Sequence, residues 1–238
     1  MSLRDEQVEL YSRQIILREL GGVGQRRLLA GRVLAIGGGA ACEAALSYLA
    51  GAGIGALDRV AREAPRTDGS GGARLPLAPL ATRSPDARVR LLGSSGGAAA
   101  PASLDGYDVV LSFDGRAGGE PYVLPPGTPR LGSVAVRMQD DGAPEVVLLP
   151  RGGGCLACLA GEVTRQDAPA RAAAVAEIAL SGTLAALACC RWLAGIGTSA
   201  EHGPRALRLA ADGATWSEHV PERRTSCPRG CPPQAEPV

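Results

Sequence analysis

The chain has 238 residues and a formal net charge of +1, enough length for one large domain or two small ones around a sizeable core. A pI of about 7.6 gives no broad basic field for nucleic acid or an anionic membrane surface. No apolar run reaches the roughly 18 residues of a membrane span, and the charged opening Arg4-Asp5-Glu6 lacks a signal-peptide layout, so a soluble, cytoplasmic protein is expected. Residues 4–29 read as helical, with Val8, Tyr11, Ile15 and Ile16 at near-helical spacing and Gly21-Gly22 breaking the run before Gln25–Leu29. A strand at 33–36, an alanine-rich helix at 41–51 and a strand at 56–60 make a βαβ start. Residues 62–86 are rich in Pro, Gly and Arg, 88–92 read as a strand, and 93–103 as a surface loop. Tyr107–Phe113 is near-continuously apolar, as a buried parallel strand should be. Leu131–Val136 and Glu145–Leu149 read as a strand pair around the turn signal Asp140-Asp141-Gly142. Ala168–Leu193 is a long helix, interrupted near Ser181-Gly182, and Ala206–Ala210 with Thr215–Val220 forms a hairpin around Asp212-Gly213. Alternating strands and helices predict an α/β fold: one domain over 1–238, built on a doubly wound, Rossmann-like sheet. Residues 1–30 would be an N-terminal helical arm and 151–238 a C-terminal part with a zinc-stapled hairpin.

Two patterns carry chemistry. The strand ending at Ile36 enters Gly37-Gly38-Gly39 and leaves as a helix. Such a turn aims backbone N–H groups at a helix N-terminus, where phosphates bind. Gly37 and Gly39 match the first two glycines of GxGxxG, and Cys42 stands at the third. A carboxylate normally closes the second strand to hold the ribose; here that place is Ala61. The chain also contains no lysine and no asparagine. A lysine on phosphate or an Asn amide on ribose is therefore excluded, and arginine substitutes only with different reach and geometry. The second pattern is a pair of cysteine pairs, Cys155/Cys158 and Cys227/Cys231. Four thiolates so spaced can surround one Zn²⁺ tetrahedrally and tie the tail to the domain. Cys189 and Cys190 lie within the long helix and read as packing, Cys42 as a small turn residue, and His202 and His219 as solvated surface.

Taken in order, Tyr11-Ser12-Arg13-Gln14-Ile15-Ile16-Leu17, Gly21-Gly22-Val23-Gly24-Gln25, the glycine turn after Arg32-Val33-Leu34 and Tyr48-Leu49-Ala50-Gly51-Ala52-Gly53-Ile54-Gly55 resemble the ThiF/MoeB/HesA family of ubiquitin-activating-enzyme-like adenylyltransferases. Tyr107–Leu111, the Gly-Gly-x-Cys-x-x-Cys element ending at Cys158, Gly195-Ile196-Gly197 and the terminal cysteine pair extend the resemblance over nearly the whole chain. The resemblance implies ATP and Mg²⁺ as cofactors. It implies as partner a small β-grasp protein, a sulfur carrier or ubiquitin-like modifier whose C-terminal carboxylate is adenylated. It further implies a dimer in which an arginine of one N-terminal arm reaches the other subunit's nucleotide site.

Carried over position by position, Arg13 stands for that arginine and Gly37 and Gly39 for the turn glycines. Asp114 stands for the magnesium-holding aspartate, although the local spacing is one residue short of the family's pattern. Glu63 is a partial substitute for the ribose carboxylate, Arg74 a loose one for the phosphate lysine, and Gly115 replaces the Asn after the magnesium aspartate. No cysteine occurs in Glu162–Ala174, where some members carry a thioester or persulfide cysteine. A fold retained over a depleted nucleotide pocket reads as a pseudoenzyme or partner subunit that binds a small protein or peptide, as a homodimer or with an active paralogue. The alternative is an active adenylyltransferase using arginines for the missing Lys, Asn and Asp. Metal analysis of the purified chain is expected to return about one zinc per molecule, and Cys155→Ser to abolish it.

Overall fold

The computed structural model describes residues 2–60, 84–92, 104, 106–114, 132–139, 142–150, 175–197, 203–210 and 212–221. Their order is α1 (Asp5–Leu10), α2 (Ser12–Ile15), α3 (Gly21–Ala30), β1 (Arg32–Gly37), α4 (Gly39–Gly51), β2 (Ala56–Val60), β3 (Arg88–Leu91), β4 (Val109–Asp114), β5 (Gly132–Met138), β6 (Pro144–Leu149), α5 (Val175–Ala194), β7 (Arg205–Leu209) and β8 (Trp216–His219).

The strands form an eight-stranded sheet in the order β3-β2-β1-β4-β5-β6-β7-β8. From β3 to β5 all neighbours are parallel; from β5 to β8 all are antiparallel. This mixed sheet follows from the connections. Residues 139–143 can close only an antiparallel pair, whereas parallel neighbours need a crossover. Alternation along each strand then sorts the two faces. Val33, Ala35, Leu57, Val109, Leu111, Phe113, Val134, Val136 and Val146 join Leu28 of α3, the inner side of α4 and Ala185, Ala186 and Cys189 of α5 in one core. The opposite face buries Leu34, Ile36, Val60, Leu104, Tyr107 and Val110, with Ala135, Val147, Leu149 and Ala206 further along. Among the described residues the helices packed on the sheet all lie on the first face, so the described part is a mixed α/β sheet covered by helices on one side, where a doubly wound fold would have them on both.

Three local expectations are corrected. The N-terminal run divides into three helices, and its main break falls at 16–20; Gly21 opens α3 with φ +56° instead of ending a helix. The apolar strand begins at Val109, and Tyr107 is buried just before it. The long helix is continuous through Ser181-Gly182. Ser181 and Gly182 are buried, and the Ser181 hydroxyl donates to the Glu177 carbonyl within the helix at 3.0 Å. A Cβ at Gly182 would collide with the backbone of Ala41 in the first turn of α4. The small pair is thus a contact surface that lets α5 brace the start of α4.

The N-terminal arm is fixed at the edge of the sheet where the parallel strands begin. Tyr11 is buried against Gly53, ahead of β2. Its hydroxyl lies 2.9 Å from Ser84 Oγ and donates to Asp86 Oδ2 at 3.2 Å, just ahead of β3. Arg4 and the Gln7 amide close the cluster by donating to Asp86 Oδ1 at 2.6 and 2.8 Å. Burial, above all, holds the Tyr11 phenol above its ordinary pKa.

Gly182→Ala is expected to cost roughly 1–3 kcal/mol of unfolding free energy by overpacking the α4–α5 contact, read as a lower urea midpoint. Leu180→Ala, on the exposed side of the same helix, should stay within about 0.5 kcal/mol.

Candidate functional site: the glycine corner and its flanks

β1 ends at Gly37, which pairs with Phe113 of β4. Gly37 has φ +114°, and a Cβ there would strike the Phe113 carbonyl oxygen. Only glycine lets the two strands close to this distance while the chain turns off the sheet. Gly38 is extended, and Gly39 takes φ +85° as α4 begins. Among the described residues no side chain caps that N-terminus, which leaves the first-turn amides and the positive end of the helix dipole as donors there. The corner lies where the strand order reverses, with β2 on one side of β1 and β4 on the other. In open α/β sheets this is the ligand crevice.

Beneath the corner lies a cation that the sequence reading did not single out. Arg59 of β2 is 5% exposed. Its Nη1 donates to Glu43 Oε1 of α4 at 2.6 Å, and its Nε to the Gly37 carbonyl at 3.4 Å. Nη2 lies 3.3 Å from where a Cβ of Gly38 would sit. Glu43 is also buried, and its Oε2 finds no hydrogen-bond partner among the described residues. The signal was present in β2 itself, Ala-Leu-Asp-Arg-Val, which places two charges in a strand buried along its length. Cys42, fully buried in the first turn of α4, directs its sulfur toward the Gly37 carbonyl at 3.9 Å. Burial, foremost, pushes its thiol up to about 12, so at neutral pH it is a packing residue and not a nucleophile. Cys189 and Cys190 are likewise held protonated by burial, Cys190 at about 12.

The second charge of β2, Asp58, faces the other side of the sheet and is fully buried. Arg90 grips it through Nε at 2.7 Å and Nη2 at 2.5 Å, and the Tyr107 hydroxyl donates at 2.6 Å. Burial alone would raise the Asp58 pKa, but these donors outweigh it and hold the carboxyl below its ordinary value. Burial and the bond to Asp58 push Tyr107 up to about 12, and the Arg32 guanidinium lies 5.4 Å from its ring centroid. Arg90 has 44% of its side chain exposed. The group ties β2, β3 and the approach to β4 together.

Asp114 is the last residue of β4, one position beyond the Gly37–Phe113 pair and in register with Arg137 of β5. Arg137 in turn pairs with Glu145 of β6, and Glu145 with Arg208 of β7. Arg137 Nε and Gln139 Nε2 both donate to Glu145 Oε2, at 2.5 and 2.6 Å. His219 Nε2, with its side chain 46% exposed, stands 3.5 Å from Glu145 Oε1.

Of the residues expected to act, the structure brings Gly37 and Gly39 together at the corner and sets Asp114 one strand away. Arg13 is exposed on α2, in the arm at the opposite edge. The length of β1, six residues at about 3.3 Å each, separates that edge from the corner. Glu63, Arg74, His202 and the four cysteines Cys155, Cys158, Cys227 and Cys231 lie outside the described residues, and with them the zinc staple expected from the sequence. Among the described residues there is no group of three or more potential metal ligands.

Removing one member of the Arg59–Glu43 pair strands a buried charge. Arg59→Met or Glu43→Leu alone is expected to cost roughly 3–5 kcal/mol, and the double substitution markedly less than the sum, measured as a denaturation double-mutant cycle.

No family model matches the chain. A stretch of 56 residues, 23% of this chain, is 54% identical to 12% of the adenylyltransferase and sulfurtransferase MOCS3 of Anopheles gambiae. A stretch of 57 residues, 24% of this chain, is 46% identical to 21% of the SAMP-activating enzyme E1 of Haloferax volcanii. The chain thus spans about a fifth or less of the length of these curated relatives. Among solved structures, MccB of E. coli aligns over 99% of this chain and 77% of its own, with a TM-score of 0.67 at 13% identity. PaaA aligns over 92% and 75%, with a TM-score of 0.61 at 13% identity. Likeness at that identity is likeness of fold. Over about a quarter of its length the chain is thus similar in sequence to named adenylyltransferases, and over almost all of it similar in fold to MccB and PaaA, in line with the resemblance to the ThiF/MoeB/HesA family read from the sequence.

Proposed function

We propose that this chain binds the C-terminal tail of a small β-grasp carrier, a ubiquitin-like protein or a peptide, on a scaffold inherited from adenylating enzymes, and that its nucleotide site is weakened. It acts as a pseudoenzyme or as the partner subunit of an active paralogue. One observation carries the reading: the backbone of the glycine corner is built as a phosphate turn, while the sequence lacks side chains that the resemblance leads one to expect around it. β2 runs into Ala61 where a ribose carboxylate would stand, and the chain has neither lysine nor asparagine. A hydrogen bond to a charged group is worth roughly 1.5–3 kcal/mol. Two such losses weaken nucleotide binding by roughly 100- to 10,000-fold.

The corner itself suits a phosphate: among the described residues no side chain caps the helix start and no atom lies within 4 Å of where a Cβ of Gly39 would sit. In this proposal the amides after Gly37 and Gly39 are what remain of the phosphate cradle, and Asp114 is the residue that would hold Mg²⁺. Bound ATP would supply the electrophilic α-phosphorus for a carboxylate; the chain's own residues position and neutralise charge. Arg13 serves a second subunit, because its arm is anchored at the far edge of its own sheet. Glu63 stands in partially for the ribose carboxylate and Arg74 loosely for the phosphate lysine, and Cys155, Cys158, Cys227 and Cys231 hold a structural zinc. The protein is a cytoplasmic homodimer or heterodimer. A second reading, an active adenylyltransferase relying on arginines, is favoured by Arg59, whose guanidinium lies directly under Gly38.

Carrier-dependent pyrophosphate exchange with ATP and Mg²⁺ separates the two. The expected result is no exchange with candidate carriers and no ATP binding at millimolar nucleotide. Exchange that disappears in Asp114→Ala would establish the active enzyme instead.

A further inference from the structure

The antiparallel wing carries a file of charges that nothing in the glycine corner accounts for. Asp114, Arg137, Glu145 and Arg208 occupy one register row across β4, β5, β6 and β7. With strands about 4.8 Å apart, the backbone of Arg137 lies about 5 Å from that of Asp114 and about 10 Å from the end of β1. The row's neighbours in β5 and β6 include Val134, Val136, Val146 and Val147, all buried. Glu145 is 2% exposed. A buried carboxylate is costly unless it is fully paired, and an apolar pair would serve packing at least as well. Arg137 keeps a third of its side chain exposed. The arrangement is that of a solvent-facing guanidinium seated on a buried carboxylate. Glu145 takes Arg137 through Nε, one edge of the planar fork. The Nη1–Nη2 edge is the one that receives a second carboxylate side-on.

We propose that Arg137 is the contact for the free C-terminal carboxylate of the bound polypeptide, with Glu145 as its positioning residue and β5–β7 as the floor under the tail. This rests on the reading that the chain takes a polypeptide C-terminus. It places that terminus one strand from Asp114, beside the corner where an α-phosphorus would be presented. A carboxylate is selected over an amide because only the charged form repays desolvation of the guanidinium fork.

The test uses the full chain without nucleotide, followed by NMR titration with N-acetyl-glycylglycine and with the same dipeptide as its C-terminal amide. The acid is expected to shift the resonances of β5 and β6, including the Arg137 side-chain Nε–H, and to bind about tenfold more tightly than the amide. Arg137→Gln should erase that preference and Arg137→Lys should reduce it. Glu145→Gln should also reduce it and Glu145→Asp restore it, a pattern that a purely structural role would not produce. The double variant Arg137→Gln/Glu145→Gln, which removes both charges together, keeps the comparison available if a single change unfolds the wing; it should bind acid and amide alike. Equal binding of acid and amide by the unaltered chain, no binding of either, shifts confined to other strands, or displacement by inorganic phosphate at equal concentration would each overturn the assignment. The outcome is independent of pyrophosphate exchange: a chain that exchanges pyrophosphate but ignores the carboxylate refutes Arg137 alone.

Discussion

The closure of β1 onto β4 at Gly37 is the constraint on which the rest of the structure depends. It sets the distance between the two central strands, turns the chain off the sheet and fixes where α4 starts. α4 in turn is held from behind by Gly182 of α5, pressed against Ala41. A residue with a side chain at either glycine would push the helix start away from the strand ends, and the crevice between β1 and β4 would lose its floor. The corner is therefore specified from two directions: by backbone conformation in front and by close helix packing behind. The same two contacts also border the main core, so the corner and the packing of the domain depend on each other.

The charges buried within the sheet show what holding such a structure together costs. Asp58, Arg59 and Glu145 all lie in strands that could have been wholly apolar. Each is answered by a partner on a different element: Arg90 of β3 and Tyr107, Glu43 of α4, and Arg137 of β5. Ion pairs of this kind add little net stability compared with hydrophobic replacements of similar volume. What they do supply is register. A one-residue slip of β2 would carry Asp58 away from Arg90 and Arg59 away from Glu43 at once, so the pairs penalise misalignment far more than they reward alignment.

How far the sequence reached can be judged element by element. The βαβ start, the glycine turn and the closing hairpin were legible because each rests on local rules: a buried apolar run, a turn that needs positive φ, an Asp-Gly between two alternating segments. The strand pair around Asp140-Asp141-Gly142 was legible as well, since so short a link cannot cross over. Apart from the helix break near Gly21 and the start of β4, what was missed was tertiary. Ser181-Gly182 looked like a helix break because local propensity says so, whereas its smallness answers to another helix. Arg59 and Glu43 stand 16 residues apart in the chain and meet only when α4 packs on β2. Glu145 reads as an ordinary strand-edge charge until β5, β6 and β7 align it between two arginines. Side chains whose meaning is a partner far away in sequence leave no periodic trace.

The anchoring of Tyr11 to Ser84 and Asp86 has a consequence for assembly. An arm pinned at the base of its own sheet leaves Arg13 exposed about the length of β1 away from its own glycine corner. If two copies met about a two-fold axis, as the proposed function has it, whatever one lent the other would be lent back, and each corner would be completed by the arm of the other chain.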